Sequence, residues 1–161
     1  MKPENVPAIE KLAQALNESG VKWVLVGGMA LTLHGGSLLT SDCDLAFEKS
    51  EDNLQRLKSA LESISARPLR ASDNGEYELD FSTLLAPFMH LKSEVGPVDL
   101  INRLPGVDSF EGLYSRSVEI DVDGIEIRIA SIDDLIRLKS GTDRPKDALH
   151  LEMLKALINL E

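Results

Sequence analysis

Two aspartates one residue apart, Asp42 and Asp44, lead into the apolar run Leu45-Ala46-Phe47. Side chains at i and i+2 of an extended chain share a face. The spacing therefore predicts two carboxylates side by side, with Cys43 turned the other way into the core. Carboxylates that close repel each other unless one holds a proton or a cation lies between them. A hard divalent ion such as Mg2+ accepts one or two carboxylates and completes its shell with water and substrate phosphates. Upstream, Gly27-Gly28 comes directly after the apolar run Val24-Leu25-Val26. Glycine lets backbone approach a phosphate closely, and the next helix would begin with N–H groups aimed at it. A D-x-D pair alone is usually solvated turn chemistry, and Gly-Gly alone is usually a turn. Together they outline a phosphate cradle and a metal cradle on neighbouring strands, the requirements of a nucleoside triphosphate site. A third acid, Asp99, stands between Val98 and Leu100-Ile101-Asn102. Burying a carboxylate there is costly, so Asp99 faces either solvent or a cationic partner, and the expectation is the latter.

The elements that position these residues begin with Pro3 to Ser19. This stretch predicts an amphipathic helix, with Val6, Ile9, Leu12, Ala13 and Leu16 on one face and Gly20 as its C-cap. Lys22–Val26 reads as a strand covered on both sides, Met29–His34 as a short helix, and Asp42–Phe47 as the next strand. His34 reads as a capping or surface residue rather than a ligand. Ser50 caps a helix reaching Ile64. Tyr77–Phe81, Pro87–Lys92 and Val98–Asn102 read as strands, and Leu104–Gly112 as a loop. Residues 118–129 alternate apolar and polar around Asp123-Gly124, which predicts a hairpin with a primed two-residue turn. Ser131 caps a helix over Ile132–Lys139, and Pro145 opens a last helix. The fold class is α/β (α+β): a mixed sheet with flanking helices and a C-terminal helical pair. Residues 1–130 form the core, and 131–161 a helical segment packed on it.

The chain has 161 residues, a net charge of −10 and 43% apolar residues, enough to bury a core. The acidic balance argues against broad nucleic-acid binding, which needs a basic surface. Aromatic residues, at 4%, are too few for a single-strand stacking platform. One cysteine excludes an internal disulfide framework and a Cys-rich zinc site. No segment is long and apolar enough to span a membrane, and the first residues lack an apolar signal core, so a cytoplasmic protein is expected. There is no G-x-x-x-x-G-K-[ST] loop. Histidines 34, 90 and 150 show no metal-ligand spacing, and no Ser or Cys sits in a nucleophile setting.

Gly27-Gly28 after a hydrophobic strand, Asp42-x-Asp44 with Thr40 ahead of it, and Asp99 in a later strand together resemble the signature of the nucleotidyltransferase superfamily related to DNA polymerase beta. The tail SIDDLIRLKSG…RPKDALHLEML is similar to the helical end of bacterial minimal and AbiEii-like nucleotidyltransferases. The resemblance runs from about Trp23 to Leu157. It implies that Asp42, Asp44 and Asp99 hold metal, two Mg2+ ions, with Asp99 in many members assisting deprotonation of the attacking hydroxyl. It further implies that Gly27 and Gly28 hold the triphosphate, that Thr40 and Ser41 contact phosphate, and that Lys139 is a phosphate partner. Asp147 matches an acid of the tail, although an acid in a first helical turn is favourable without any function. Leu38 stands where related sequences often carry a basic residue.

The activity so implied is Mg2+-dependent transfer of NMP from an NTP to an acceptor hydroxyl on a protein, an RNA or a small molecule, in a toxin–antitoxin setting or outside one. A partner protein or a homodimer is compatible with it. The competing reading is an inactive module that keeps the fold and serves as an antitoxin-like binding partner. Leu38 favours that reading, and the intact set of acids opposes it.

Overall fold

The computed structural model describes residues 9–36, 42–69, 79–140 and 145–159. Helix α1 (Ile9–Glu18) buries Ile9, Leu12, Ala13 and Leu16 along one stripe, and Gly20 turns the chain at a φ of 73°. Strand β1 (Trp23–Val26) comes next, buried along its whole length, as an apolar strand covered on both faces must be. It leads to α2 (Gly27–Leu33), β2 (Cys43–Phe47) and α3 (Glu51–Ser63). Ser50 caps α3 by accepting a hydrogen bond from the Asn53 amide. Asn53 is buried because it ties α3 to both neighbouring strands: its side chain donates to the carbonyls of Lys22 and Glu48 and accepts from the Lys22 amide.

The chain continues through β3 (Arg67–Pro68), the single-turn α4 (Phe81–Leu84), β4 (Phe88–Lys92), β5 (Val98–Ile101) and α5 (Phe110–Arg116). It ends with the hairpin β6 (Val118–Val122) and β7 (Ile125–Ile129) and the helices α6 (Ile132–Ser140) and α7 (Pro145–Ile158). The hairpin turn is of the expected primed kind, with Asp123 at φ 54° and Gly124 at φ 85°. The expected cap of α6 is present, Ser131 Oγ accepting from the Asp134 amide at 3.1 Å.

The seven strands form one mixed sheet in the order β3-β4-β5-β2-β1-β7-β6, flanked by helices. Its registers bring distant residues into line. Antiparallel β1 and β2 set Val26 opposite Asp44. Parallel β2 and β5 set Asp44 opposite Asp99. Antiparallel β4 and β5 set Asp99 opposite His90. Directly paired residues share a face, so Val26, Asp44, Asp99 and His90 form one row across the middle of the sheet.

Several boundaries differ from expectation. The short helix begins at Gly27 rather than Met29, so the glycine pair is its first turn. β2 begins at Cys43, leaving Asp42 ahead of the strand and exposed. Phe81 opens a helix, capped by Asp80 through the Thr83 amide, instead of closing a strand; residues 77 and 78 lie outside the described residues. The stretch expected to be a loop to Gly112 contains the start of α5. Ser109 caps that helix by accepting from the Gly112 amide, and Phe110 and Leu113 anchor it in the core. In the sequence, two glycines near a proline mask the signal of that apolar pair. Among the described residues no helix is long and apolar enough to cross a membrane.

Candidate active site

Asp44 is the second residue of a strand whose other members are apolar, so its carboxyl group is carried into the sheet centre. Its partner across β2 and β5 is Asp99. Burial, then the charges of Asp99 and Asp42, push its pKa from 3.8 up to about 7, against an opposing pull from Lys139. Cys43 points to the opposite face and is fully buried. Its thiol is pushed up to about 12, first by burial and then by the Asp44, Asp42 and Asp99 charges, which makes it an inert core residue.

Asp99 is only 14% exposed and has a second partner: His90 Nδ1 lies 2.8 Å from its Oδ1. The sequence led to the expectation of a cationic neighbour but did not single out His90. The signal was available: β4 and β5 are joined by a short turn at 93–97, and pairing their apolar residues sets 90 against 99.

Beneath Asp44 lies Gly27, at a φ of 72°; a Cβ there would stand 2.0 Å from Asp44 Oδ2. The carboxylate therefore rests on bare backbone at the first turn of α2. A cavity of about 150 Å3 opens beside it, lined by Val26, Gly27, Asp44, Phe88, Ile101, Arg103, Pro105, Leu138 and Lys139. Arg103, which sequence reasoning passed over, sits four residues beyond Asp99. Lys139 reaches this cavity from α6 and makes a 2.9 Å ion pair with Asp147 of α7, whose side chain is fully buried. Larger cavities lie elsewhere, one of about 570 Å3 against β3 and β4, but neither acid lines it.

The structure thus brings together Asp44, Asp99, Gly27 and Lys139, with Gly28 the next residue of the same helical turn. Asp42 is exposed just outside the row and acts on Asp44 through its charge. Thr40, Ser41 and Leu38 lie outside the described residues. Among the described residues no three His, Cys, Asp or Glu side chains converge as a closed cation cage. The arrangement is instead a pair of carboxylates at the edge of a cleft. Two carboxyl groups in register offer only oxygen ligands, which suits a hard divalent ion, since such an ion takes one or two carboxylates and its other ligands from water and substrate.

This fold and this placement of acids beside a glycine-opened helix define a nucleotidyltransferase-type core. The match to the family model described as "Nucleotidyl transferase of unknown function (DUF2204)" extends over residues 5–160. The chain belongs to that family and is an enzyme of the nucleotidyltransferase class. Among solved structures it is similar to the lincosamide antibiotic adenylyltransferase LnuA with lincomycin bound, at a TM-score of 0.63 and 18% identity, covering 96% of this chain and 99% of that one. It is also similar to ANT(2")-Ia in complex with adenylyl-2"-tobramycin (TM-score 0.59, 16% identity, 93% and 87% covered). A third is an antigenic nucleotidyltransferase-like protein from Paracoccidioides brasiliensis (TM-score 0.57, 16% identity, 96% and 78% covered). At these identities the likeness is one of fold. No functionally curated protein matches the chain significantly.

Proposed function

We propose that this protein transfers a nucleoside monophosphate from a nucleoside triphosphate to a hydroxyl of a small-molecule acceptor, with Mg2+ as cofactor. The observation that carries the reading is the register pairing of Asp44 with Asp99, with Asp44 seated on Gly27 at the edge of a cleft. Asp44 and Asp99 would hold the cation, with Asp42 adding negative charge nearby. The bound metal would supply charge neutralisation on the phosphates. Gly27 seats Asp44, and Gly28 in the same turn keeps backbone free of a side chain for the triphosphate, while Arg103 and Lys139 place positive charge on the cleft wall where pyrophosphate would build up charge. Asp99 is the group placed to take the proton of the acceptor hydroxyl as its oxygen attacks the α-phosphorus and pyrophosphate departs. Positioning and charge stabilisation are the protein's main contributions to such chemistry.

A small acceptor is favoured over RNA because the net charge is −10, which repels a polyanion. The adenylyltransferases similar in fold were solved with lincomycin and with an adenylylated tobramycin, acceptors of that size. A triphosphate donor is met in the cytoplasm. Calorimetric titration with each NTP and Mg2+ tests the reading. Binding is expected for the native chain and lost in Asp42→Ala/Asp44→Ala; equal binding by both would overturn it. Incubation of labelled NTP with pools of hydroxylated small molecules then identifies the acceptor.

A further inference from the structure

His90 is 63% exposed at its side chain, yet its ring is not loose: Nδ1 lies 2.8 Å from Oδ1 of Asp99, which is itself only 14% exposed. So exposed a ring buries little area, and packing is not what the position contributes. What it contributes is a hydrogen-bond donor at a fixed height on the sheet, because the β4–β5 register places residue 90 directly opposite residue 99. Asp99 thereby has a partner on each side within one row, Asp44 on β2 and His90 on β4. A carboxylate on an isolated strand can turn about its last torsion. One hydrogen-bonded to a ring on the adjoining strand is held in one orientation.

We infer that His90 is a positioning residue for the acid pair, donating from Nδ1 to Asp99 Oδ1 and so holding that carboxylate against Asp44 in the orientation that receives the cation and the nucleotide. The inference rests on the proposed function, since it concerns the same two acids. It adds a residue that acts through Asp99 rather than as a member of the acid pair. The donor acts through its hydrogen bond, so its role is separable from ring shape. Phenylalanine keeps the ring and lacks the donor. Asparagine lacks the ring but carries an amide nitrogen at the position of Nδ1.

The test is calorimetric titration of the native chain, His90→Phe and His90→Asn with Mg·ATP and, separately, with Mn2+ alone, alongside thermal melts. Removing a hydrogen-bond partner of a metal-ligating group typically weakens binding about 10–100-fold, so His90→Phe is expected to lose roughly tenfold or more in affinity for both probes. His90→Asn is expected to stay within about threefold, its amide restoring the same bond. Both variants should melt within about 2 °C of the native chain, as for exposed substitutions generally. Native-like binding by His90→Phe, or equal losses in both variants, would overturn the inference while leaving the proposed function standing. Absence of Mg·ATP binding by the native chain would overturn both.

Discussion

The carboxylate of Asp44 lies directly against the backbone of Gly27, so closely that a methyl group there would stand 2.0 Å from Oδ2. Gly27→Ala must therefore displace the acid as well as strain a residue at φ 72°. The left-handed conformation alone costs an L-residue about 1–2 kcal/mol. The expected result is a comparable or larger loss of stability in denaturant melts together with loss of Mg·ATP binding. Gly124→Ala is the control: its φ of 85° is similarly demanding, but nothing lies within 4 Å of the added Cβ. It should lose stability and keep nucleotide binding.

The raised pKa of Asp44 fixes how stability varies with pH. Its carboxyl holds a proton in the folded chain up to about pH 7 but only to 3.8 as a free side chain. The folded state therefore binds more protons between those values, and the contribution of Asp44 to stability is full below about pH 4 and is lost as pH rises toward 7. Urea denaturation of the native chain against Asp44→Asn across about pH 5–8 should show the native chain losing stability relative to the variant by up to a few kcal/mol as pH increases. A parallel course of the two curves would contradict the assignment.

Cation binding must displace that same proton. Mg2+ affinity, read by calorimetry in buffers of different ionisation enthalpy, should rise with pH to about 7 and then level off, with up to about one proton released per site below that point. Mg2+ should also raise the melting temperature more at about pH 8 than at about pH 6.

Asp44→Asn and Asp99→Asn each keep side-chain shape and remove one acid from the pair. Nucleotidyl transfer should fall by about a hundredfold or more in either. Circular dichroism should stay native, because asparagine matches the size and shape of the aspartate it replaces.

Lys139 and Asp147 form a pair with little solvent access, 15% for the lysine and none for the acid. Removing one partner of such a buried pair typically costs about 3–5 kcal/mol. Lys139→Met should therefore cost stability on that scale. It should also raise the Asp44 pKa further, since Lys139 is the charge that lowers it. The double variant Lys139→Met/Asp147→Leu should recover much of the stability but not the nucleotide affinity.

Much of this was legible in the chain. Two-residue alternation at 118–129 and the Asp123-Gly124 turn spelled out the β6–β7 hairpin, and apolar spacing with Ser50 and Ser131 located α3 and α6, because these signals are local. The acids Asp44 and Asp99 stood out as charges in otherwise apolar strands. What was not legible depended on pairing between distant segments. Gly27 reads as a turn residue until the side chain resting on it is known. His90 and Lys139 acquire their partners only through β4–β5 register and the packing of α6 on α7. Asp134 reads as a first-turn acid, yet it is fully buried between Arg116 and Arg137, a contact that α5, itself unanticipated, supplies.

The row from Val26 to His90 also says when the site comes into being. Its members arrive on four strands, and Asp44 meets Asp99 only after a long intervening loop has closed, an entropically slow step that raises contact order. A chain in which β2 and β5 have not yet met therefore holds Asp44 and Asp99 apart, so the candidate site exists only once those strands have paired.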